Sequence, residues 1–194
     1  MKIAVYGSAA KNVAGKINEL ARETGRQIAS RGYTLITGGC PGIPYSAVLG
    51  ANEENGKVIG FSPGINEKDH IERFGFPVKG FSRFVYVPED YPLKDVKGAC
   101  LKYRNISSVV ECDAAVTISG RSGTTNEFTI AYDLGKNIGV LIETGGMSKF
   151  FKRLIDDWNK PTGATVIFER YPDKLIETLE KITKEEFERA HHLE

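Results

Sequence analysis

The sequence predicts an α/β fold, in which a single three-layer domain is built on a mainly parallel sheet of about seven strands. Apolar segments rich in β-branched residues alternate with segments of helical periodicity almost from end to end, the pattern of parallel strands joined by crossover helices. A chain of 194 residues is long enough to bury one sizeable core. We therefore assign residues 1–183 to one domain and residues 184–194, which are strongly charged, to a C-terminal tail.

The predicted elements alternate along most of the chain. The strands cover about residues 2–6, 33–37, 57–61, 83–87, 113–118, 138–142 and 164–168. The first helix is predicted from residues at helical spacing, which are Ile17, Leu20, Ala21, Thr24 and Ile28, and Gly32 ends it. Similar patterns predict helices near 43–55, 97–111, 123–134, 147–159 and 172–183. Residues 62–82 lack sustained periodicity, so we expect a long loop there that serves as a lid, a binding segment or a mobile surface connection.

The composition limits the classes of function. Lysine and arginine (26) nearly balance aspartate and glutamate (25), so no broad electrostatic surface for nucleic acid or an anionic membrane is expected. The N-terminus reads directly as a strand and no apolar run approaches membrane-spanning length, which predicts a cytoplasmic protein without a signal peptide. The three cysteines and three histidines lack metal-ligand spacing. We expect a small-molecule ligand and neither a metal, a structural disulfide nor a cofactor.

Three turns that contain glycine follow predicted strands. They comprise Gly7 and Ser8; Gly38, Gly39 and Gly42; and the run Ser119, Gly120, Arg121, Ser122, Gly123 and Thr124. Glycine lets backbone N–H groups approach an anion, and a following helix start adds partial positive charge. In an open parallel sheet, ligands bind beyond the carboxyl ends of the strands where the strand order reverses. The turns therefore predict one phosphate and ribose crevice, although each glycine alone is also explained by the needs of a turn.

Two common nucleotide-binding motifs are missing from these turns. The first turn lacks the full G-x-G-x-x-G pattern, and no Walker A lysine follows any of the glycines. Dinucleotide dehydrogenase and P-loop NTPase functions are therefore disfavoured.

Two charged residues near these turns are candidates for a chemical role. Glu127 lies one turn into the predicted helix after the third glycine turn, where a pure phosphate cradle would not place a carboxylate. Helix capping is the ordinary explanation of such a residue. Arg104 lies on the helix at 97–111 beside a predicted apolar side of Tyr103, Ile106 and Val110, and a solvated arginine is its ordinary explanation.

The spacing of these residues resembles the LOG (Lonely Guy) family of nucleoside 5′-monophosphate phosphoribohydrolases. The family pattern is an arginine-lysine helix motif, then a strand, then P-G-G-x-G-T-x-x-E. Arg104 matches the catalytic arginine and Glu127 the catalytic glutamate, while Gly120, Gly123 and Thr124 match the phosphate-binding turn. The resemblance implies a Rossmann-like nucleotide-binding domain.

The first two glycine turns extend this resemblance to about residues 1–145. Gly38, Gly39 and Gly42 are similar to the family's G-G-G-x-x-G-L-M segment, and Gly7 with Ser8 to its first-strand turn. LOG-like proteins are commonly dimers that pack through the helices around the arginine motif. The resemblance thus implies a homodimer or a higher homo-oligomer.

Several residues depart from the family pattern. The departures are Ser119 for proline, Arg121 for the second glycine, Thr37 for glycine, Pro44 for methionine and Asn105 for lysine. Arg121 either adds a bidentate phosphate contact or narrows the site by its bulk. An arginine-asparagine pair before such a turn also resembles a sister branch that includes molybdenum-cofactor carrier proteins, which bind without hydrolysing.

The resemblance implies hydrolysis of a nucleoside monophosphate to free base and ribose 5-phosphate. Cleavage of an N-glycosidic bond passes through an oxocarbenium-like ribose, so Glu127 is expected to stabilise that charge or to activate water. Arg104 would grip the substrate and lower the pKa of Glu127. The alternative is a non-catalytic carrier or sensor of a nucleotide or pterin-type cofactor in the same crevice. DNA binding is poorly supported by the near-neutral charge, and lysine decarboxylation by the lack of a pyridoxal phosphate-binding lysine motif.

Overall fold

The computed structural model describes residues 1–10, 12 and 14–191, and it confirms the predicted three-layer α/β fold. Within these residues seven strands form one parallel sheet, and their bounds are β1 Lys2–Gly7, β2 Thr34–Thr37, β3 Val58–Phe61, β4 Arg83–Val85, β5 Ala114–Ile118, β6 Asn137–Leu141 and β7 Val166–Glu169. The helices are α1 Gly15–Ser30, α2 Ile43–Glu53, α3 Glu67–Glu72, α4 Lys97–Glu111, α5 Ser122–Asp133, α6 Phe151–Trp158 and α7 Pro172–His191, and a 3₁₀ turn spans Gly146–Lys149.

The strand order places a topological switch at the middle of the sheet. The order is β4-β3-β2-β1-β5-β6-β7, so the chain builds outward from β1 to β4 and then returns to lay β5 beside β1. At the carboxyl ends of these two central strands Gly7 pairs with Ile118. The helices that follow neighbouring strands diverge to opposite faces here, which opens a crevice above Gly7 and Ile118.

Two apolar layers hold the helices on the sheet. On one face, residues of α1, α2 and α7 such as Ile28, Val48 and Leu175 pack against the strands. On the other face, Val109 of α4 and Phe128 of α5 do the same, together with residues of α6. Because both faces of the sheet are covered, the strands are apolar along almost their whole length rather than alternating.

The structure corrects the predicted buried face of α4. Ile106 and Val110, which were assigned to the apolar side, are 51% and 57% exposed. The buried face consists of Cys100, Arg104, Asn105, Ser108 and Val109. The prediction was wrong because polar side chains on this helix find buried hydrogen-bond partners, whereas periodicity analysis counts only apolar residues.

Three further boundaries differ from the predictions. The segment at 62–82 is not all loop, since α3 begins after Asn66, whose side chain accepts a hydrogen bond from the Asp69 amide. The helix predicted at 147–159 is divided into the 3₁₀ turn and α6. Helix α7 continues to His191, beyond the predicted end at residue 183, and residues 192–194 of the predicted tail lie outside the described residues.

Candidate functional site

A cavity of about 280 Å³ lies at the carboxyl ends of β1 and β5, at the topological switch. It is lined by Gly7, Ser8, Ala9, Cys40, Arg104, Arg121, Ser122, Gly123, Thr124 and Glu127. Eight of these ten residues were predicted site residues, and the eight come from three separate segments of the chain. Ala9 and Cys40 were not among the predicted site residues.

The turn between β5 and α5 presents backbone donors to this cavity. The first hydrogen bond across the start of α5 runs from the Thr125 amide to the Arg121 carbonyl (3.0 Å), so the amides of Ser122, Gly123 and Thr124 have no helical acceptor. The first turn of α5 contains no acidic residue, and the side chain of the N-cap residue Arg121 makes no capping hydrogen bond. Free amides, the helix dipole and a guanidinium together favour an anion at this point.

The first two residues of the same turn support it from outside the cavity. The Ser119 amide donates to Thr144 Oγ1 (2.8 Å), and the Ser119 carbonyl accepts from Ser148 Oγ (3.0 Å). The Gly120 carbonyl accepts from the Met147 amide (3.0 Å), and a φ of 91° at Gly120 suits only glycine. Ser119 and Gly120 therefore fix the turn against the loop after β6.

The glycines of the turn between β2 and α2 support the cavity wall rather than line the cavity. Gly38, Gly39 and Gly42 do not line the cavity, although Cys40 between them does. The Gly38 carbonyl accepts a hydrogen bond from Arg104 Nη1 (2.7 Å). Its lack of a side chain is required, because a Cβ at this position would lie 1.4 Å from Nη1. A glycine that supports the wall and one that binds a ligand look alike in the sequence, and Gly38, Gly39 and Gly42 were predicted as ligand contacts.

Arg104 lies in the cavity wall, and not all of its guanidinium N–H groups have hydrogen-bond acceptors. The side chain is 8% exposed, and Nη1 is used by the Gly38 carbonyl, whereas the buried Nε has no hydrogen-bond partner. Among the described residues neither Arg104 nor Arg121 forms an ion pair with a carboxylate. An unpaired buried guanidinium is costly unless an acceptor arrives. The two arginines thus give the cavity a positive wall.

Glu127 lies in the same wall and is 5% exposed. Burial raises its pKa to about 7, while the charges of Arg104 and Lys102 act in the opposite direction. The sequence predicted only the lowering by Arg104; burial outweighs it because no donor among the described residues hydrogen-bonds to the carboxylate. A carboxyl group that titrates near neutrality in a cavity is suited to proton transfer.

Cys40 lines the cavity although the sequence analysis did not predict it as a site residue. Its side chain is 5% exposed and faces the cavity, and burial raises the pKa of the thiol, with the Glu127 charge adding to this and the Arg104 charge opposing it. The residue lies between Gly39 and the turn's end, so its position within a strand-end glycine turn was a usable signal. A neutral thiol here adds a polarisable, weakly polar group to the cavity wall.

The described part of the chain shows no cluster of three potential metal ligands, and its three cysteines are free and buried. None of the helices in that part has both the length and the apolar character that crossing a bilayer would require.

The fold and the cavity define an α/β protein with a crevice at its topological switch, lined by two arginines and by the start of α5. The chain belongs to the SLOG cluster4 family, whose model matches residues 1–176. An uncharacterised protein of Archaeoglobus fulgidus is 28% identical over 145 residues, which is 73% of this chain and 80% of that protein.

Solved structures share the fold at low sequence identity. The X-ray structure of TM1055 is 22% identical, with a TM-score of 0.77 over 93% of this chain and 98% of that one. A molybdenum cofactor binding protein of Rippkaea orientalis is 21% identical, with a TM-score of 0.72 over 93% and 96%. DNA processing protein A of Helicobacter pylori, which binds single-stranded DNA, is 19% identical, with a TM-score of 0.62 over 93% and 80%. At these identities the likeness concerns the fold.

Proposed function

We propose that this protein is a nucleoside 5′-monophosphate phosphoribohydrolase that releases a free base and ribose 5-phosphate. The observation that carries the proposal is Glu127, a buried carboxyl with a pKa of about 7. It shares one cavity with the phosphate-binding turn at the start of α5. Structural carboxylates are normally hydrogen-bonded or ion-paired when buried, and Glu127 is neither within the described residues. A role in the reaction of a bound ligand best explains why a carboxyl group occupies this position.

The 5′-phosphate is placed at the start of α5. The amides of Ser122, Gly123 and Thr124 would donate to its oxygens, and Arg121 would add a charge-assisted contact. A phosphate at this point leaves the ribose between the β1 turn and Glu127. The volume of about 280 Å³ suits a phosphorylated sugar, with the base extending towards the cavity mouth.

The reaction follows from the position of Glu127. Water adds to ribose C1′, the C1′–N bond breaks with its electron pair passing to the base nitrogen, and the base takes up a proton. In its ionised form Glu127 stabilises the positive charge that develops on the ribose and accepts a proton from the attacking water. Arg104, which lines the cavity, holds a ribose or phosphate oxygen and keeps Glu127 at least partly ionised at neutral pH.

A panel of nucleoside 5′-monophosphates incubated with the protein tests this function, with the free base measured by chromatography. Glu127→Gln should abolish release, whereas Glu177→Gln, which changes an exposed carboxylate on α7, serves as the matched control and should leave it intact. Release of base by the Glu127→Gln variant at the wild-type rate would overturn the assigned role.

A second candidate is a carrier of a nucleotide or of the molybdenum cofactor. The observation that favours it is the similarity of fold to a molybdenum cofactor binding protein over 93% of this chain. A carrier would use the same phosphate turn and leave Glu127 protonated beside the anion. Binding of a pterin or nucleotide ligand without turnover of any monophosphate would support the carrier and remove the hydrolase.

We further propose that the protein acts in the cytoplasm as a homodimer. The three cysteines of the chain are free, which suits a reducing compartment. Ile106 and Val110 form an exposed apolar strip on α4, the helix that also carries Arg104. Light scattering on Ile106→Asp should report a smaller species than wild type if this strip joins two copies.

A further inference from the structure

Arg104 and Glu127 lie on different helices and form no ion pair with each other. Arg104 belongs to α4 and Glu127 to α5. No ion pair joins them, because the arginine is turned to the Gly38 carbonyl (2.7 Å) and the glutamate has no hydrogen-bond partner among the described residues. The separation of the two groups must therefore be set by whatever fixes α5 relative to α4.

A hydrogen bond immediately beside the two residues fulfils this condition. Asn105, the residue after Arg104, donates from Nδ2 to Oδ1 of Asn126, the residue before Glu127 (2.9 Å). Within the described residues this is the side-chain hydrogen bond that joins α4 to α5. Asn105 is 2% exposed, so the bond is shielded from water on the α4 side and is correspondingly stronger.

The bond belongs to a polar chain that also reaches β1. The Asn105 carbonyl accepts from Ser108 Oγ (3.0 Å), and Ser108 Oγ accepts from the Tyr6 hydroxyl (3.0 Å). Tyr6 immediately precedes Gly7 in the cavity wall. Three elements that form the cavity, β1, α4 and α5, are thus connected through buried polar groups directly behind it.

Joining α4 to α5 through these buried polar groups costs free energy. Asn105 Oδ1 is buried without a partner, and apolar side chains of similar size would pack between α4 and α5 at no such cost. Polar contacts differ from apolar ones in that they specify a single separation and direction. The cost is explained if the spacing of the residues next to the bond matters for function.

We propose that Asn105 and Asn126 are positioning residues whose hydrogen bond sets the distance between the Arg104 guanidinium and the Glu127 carboxylate. The inference rests on the proposed function insofar as that distance governs turnover. Loss of the bond lets α5 move away from α4 and weakens the attraction of Arg104 for the Glu127 charge. The pKa of Glu127 then rises further above its ordinary value.

A double-mutant cycle tests this with Asn105→Leu, Asn126→Leu and the double variant. The carboxyl of Glu127 is titrated by carbon NMR, and turnover of a nucleoside monophosphate is followed by base release. Each single variant should raise the Glu127 pKa by about one pH unit and lower kcat by about 10²-fold, with KM changed much less. The double variant should be no worse than either single variant, because one bond is lost in all three.

Thr129→Ala is the matched control, since Thr129 Oγ1 donates to the Asn126 carbonyl within α5 (3.0 Å) and does not reach α4. It should leave both readouts unchanged. Asn105→Ala and Asn126→Ala replace the leucine variants if those do not fold. A Glu127 titration identical to wild type in folded single variants overturns the proposal, as do additive effects in the double variant. If wild type hydrolyses no monophosphate, the proposed function fails, whereas the Glu127 titration still decides the positioning role.

Discussion

The turns after β5 and after β2 have the same sequence character but different roles. Both follow a central strand, contain glycines and open a helix. The β5 turn lines the cavity with Arg121 and with three residues whose amides have no acceptor in the described part of the chain. The β2 turn places its glycines against other parts of the protein, with the Gly38 carbonyl on Arg104 and the Gly42 backbone on Ser8.

The difference shows that a glycine turn is not by itself a ligand contact. At Gly123 a Cβ would meet no atom within 4 Å, so this glycine adjoins open space. At Gly42 a Cβ would lie 2.4 Å from the Ser8 carbonyl oxygen, so this glycine exists to let two turns touch. Alanine substitutions at these positions should therefore separate binding from folding.

Gly42→Ala should have the largest effect on stability. The residue has a φ of 77°, and the added Cβ would also overlap backbone oxygens of Ser8 and Ala10. Strain and overlap together should lower the free energy of unfolding by about 4 kcal/mol. Urea denaturation measures this, and a loss below about 1 kcal/mol would show that the β1 and β2 turns are not in rigid contact.

Gly38→Ala should affect the site far more than the fold. Its Cβ would displace the tip of the Arg104 side chain, which is flexible, rather than any backbone atom. Turnover should fall by about 10²-fold because the guanidinium loses its fixed position, whereas thermal unfolding should change little. Wild-type turnover in a folded Gly38→Ala variant would mean that the β2 turn does not place Arg104.

Glu127→Gln should stabilise the protein in a pH-dependent way. The pKa of Glu127 is about 7 in the folded protein against an ordinary 4.5, so the unfolded chain ionises first as the pH rises. The contribution of Glu127 to the free energy of unfolding of the wild type therefore decreases by at most about 3 kcal/mol between these two pH values. Above them it is constant.

The glutamine variant lacks this ionisation. Its advantage over wild type should be small below pH 4.5 and largest above pH 7. Denaturation of both proteins below pH 4.5 and above pH 7 checks whether the stability difference changes in this direction. An advantage that shrinks as the pH rises would indicate that the carboxylate is stabilised, rather than penalised, by its surroundings.

Gly123→Ala should have only a small, favourable effect on stability and should weaken ligand binding. Replacing glycine near the start of α5 should stabilise the helix by up to about 1 kcal/mol, while the new methyl group enters the proposed phosphate site. Calorimetry with ribose 5-phosphate should show weaker binding. Gly98→Ala is the control, because Gly98 lies in α4 with equally open surroundings outside the cavity. Equal affinity in both variants would remove the β5 turn from the phosphate site.

Most of the fold was predictable because its determinants are local. Parallel strands buried on both faces are apolar and short, and crossover helices lie between them, so alternation alone indicated the sheet. The internal helix α3 was missed because six residues are too few for a periodic signal. The buried face of α4 was mistaken because Arg104, Asn105 and Ser108 are buried as polar residues.

The sequence by itself determined the α/β architecture, and it predicted that the glycine turn before α5, Arg104 and Glu127 belong to one site. These depend on residue type and spacing, which are visible along the chain. Only the tertiary structure decided which glycines line the cavity and which support it, and that Cys40 belongs to the wall. It also decided that burial outweighs Arg104 in setting the Glu127 pKa. Desolvation and contact distance depend on segments far apart in sequence, so no local pattern contains them.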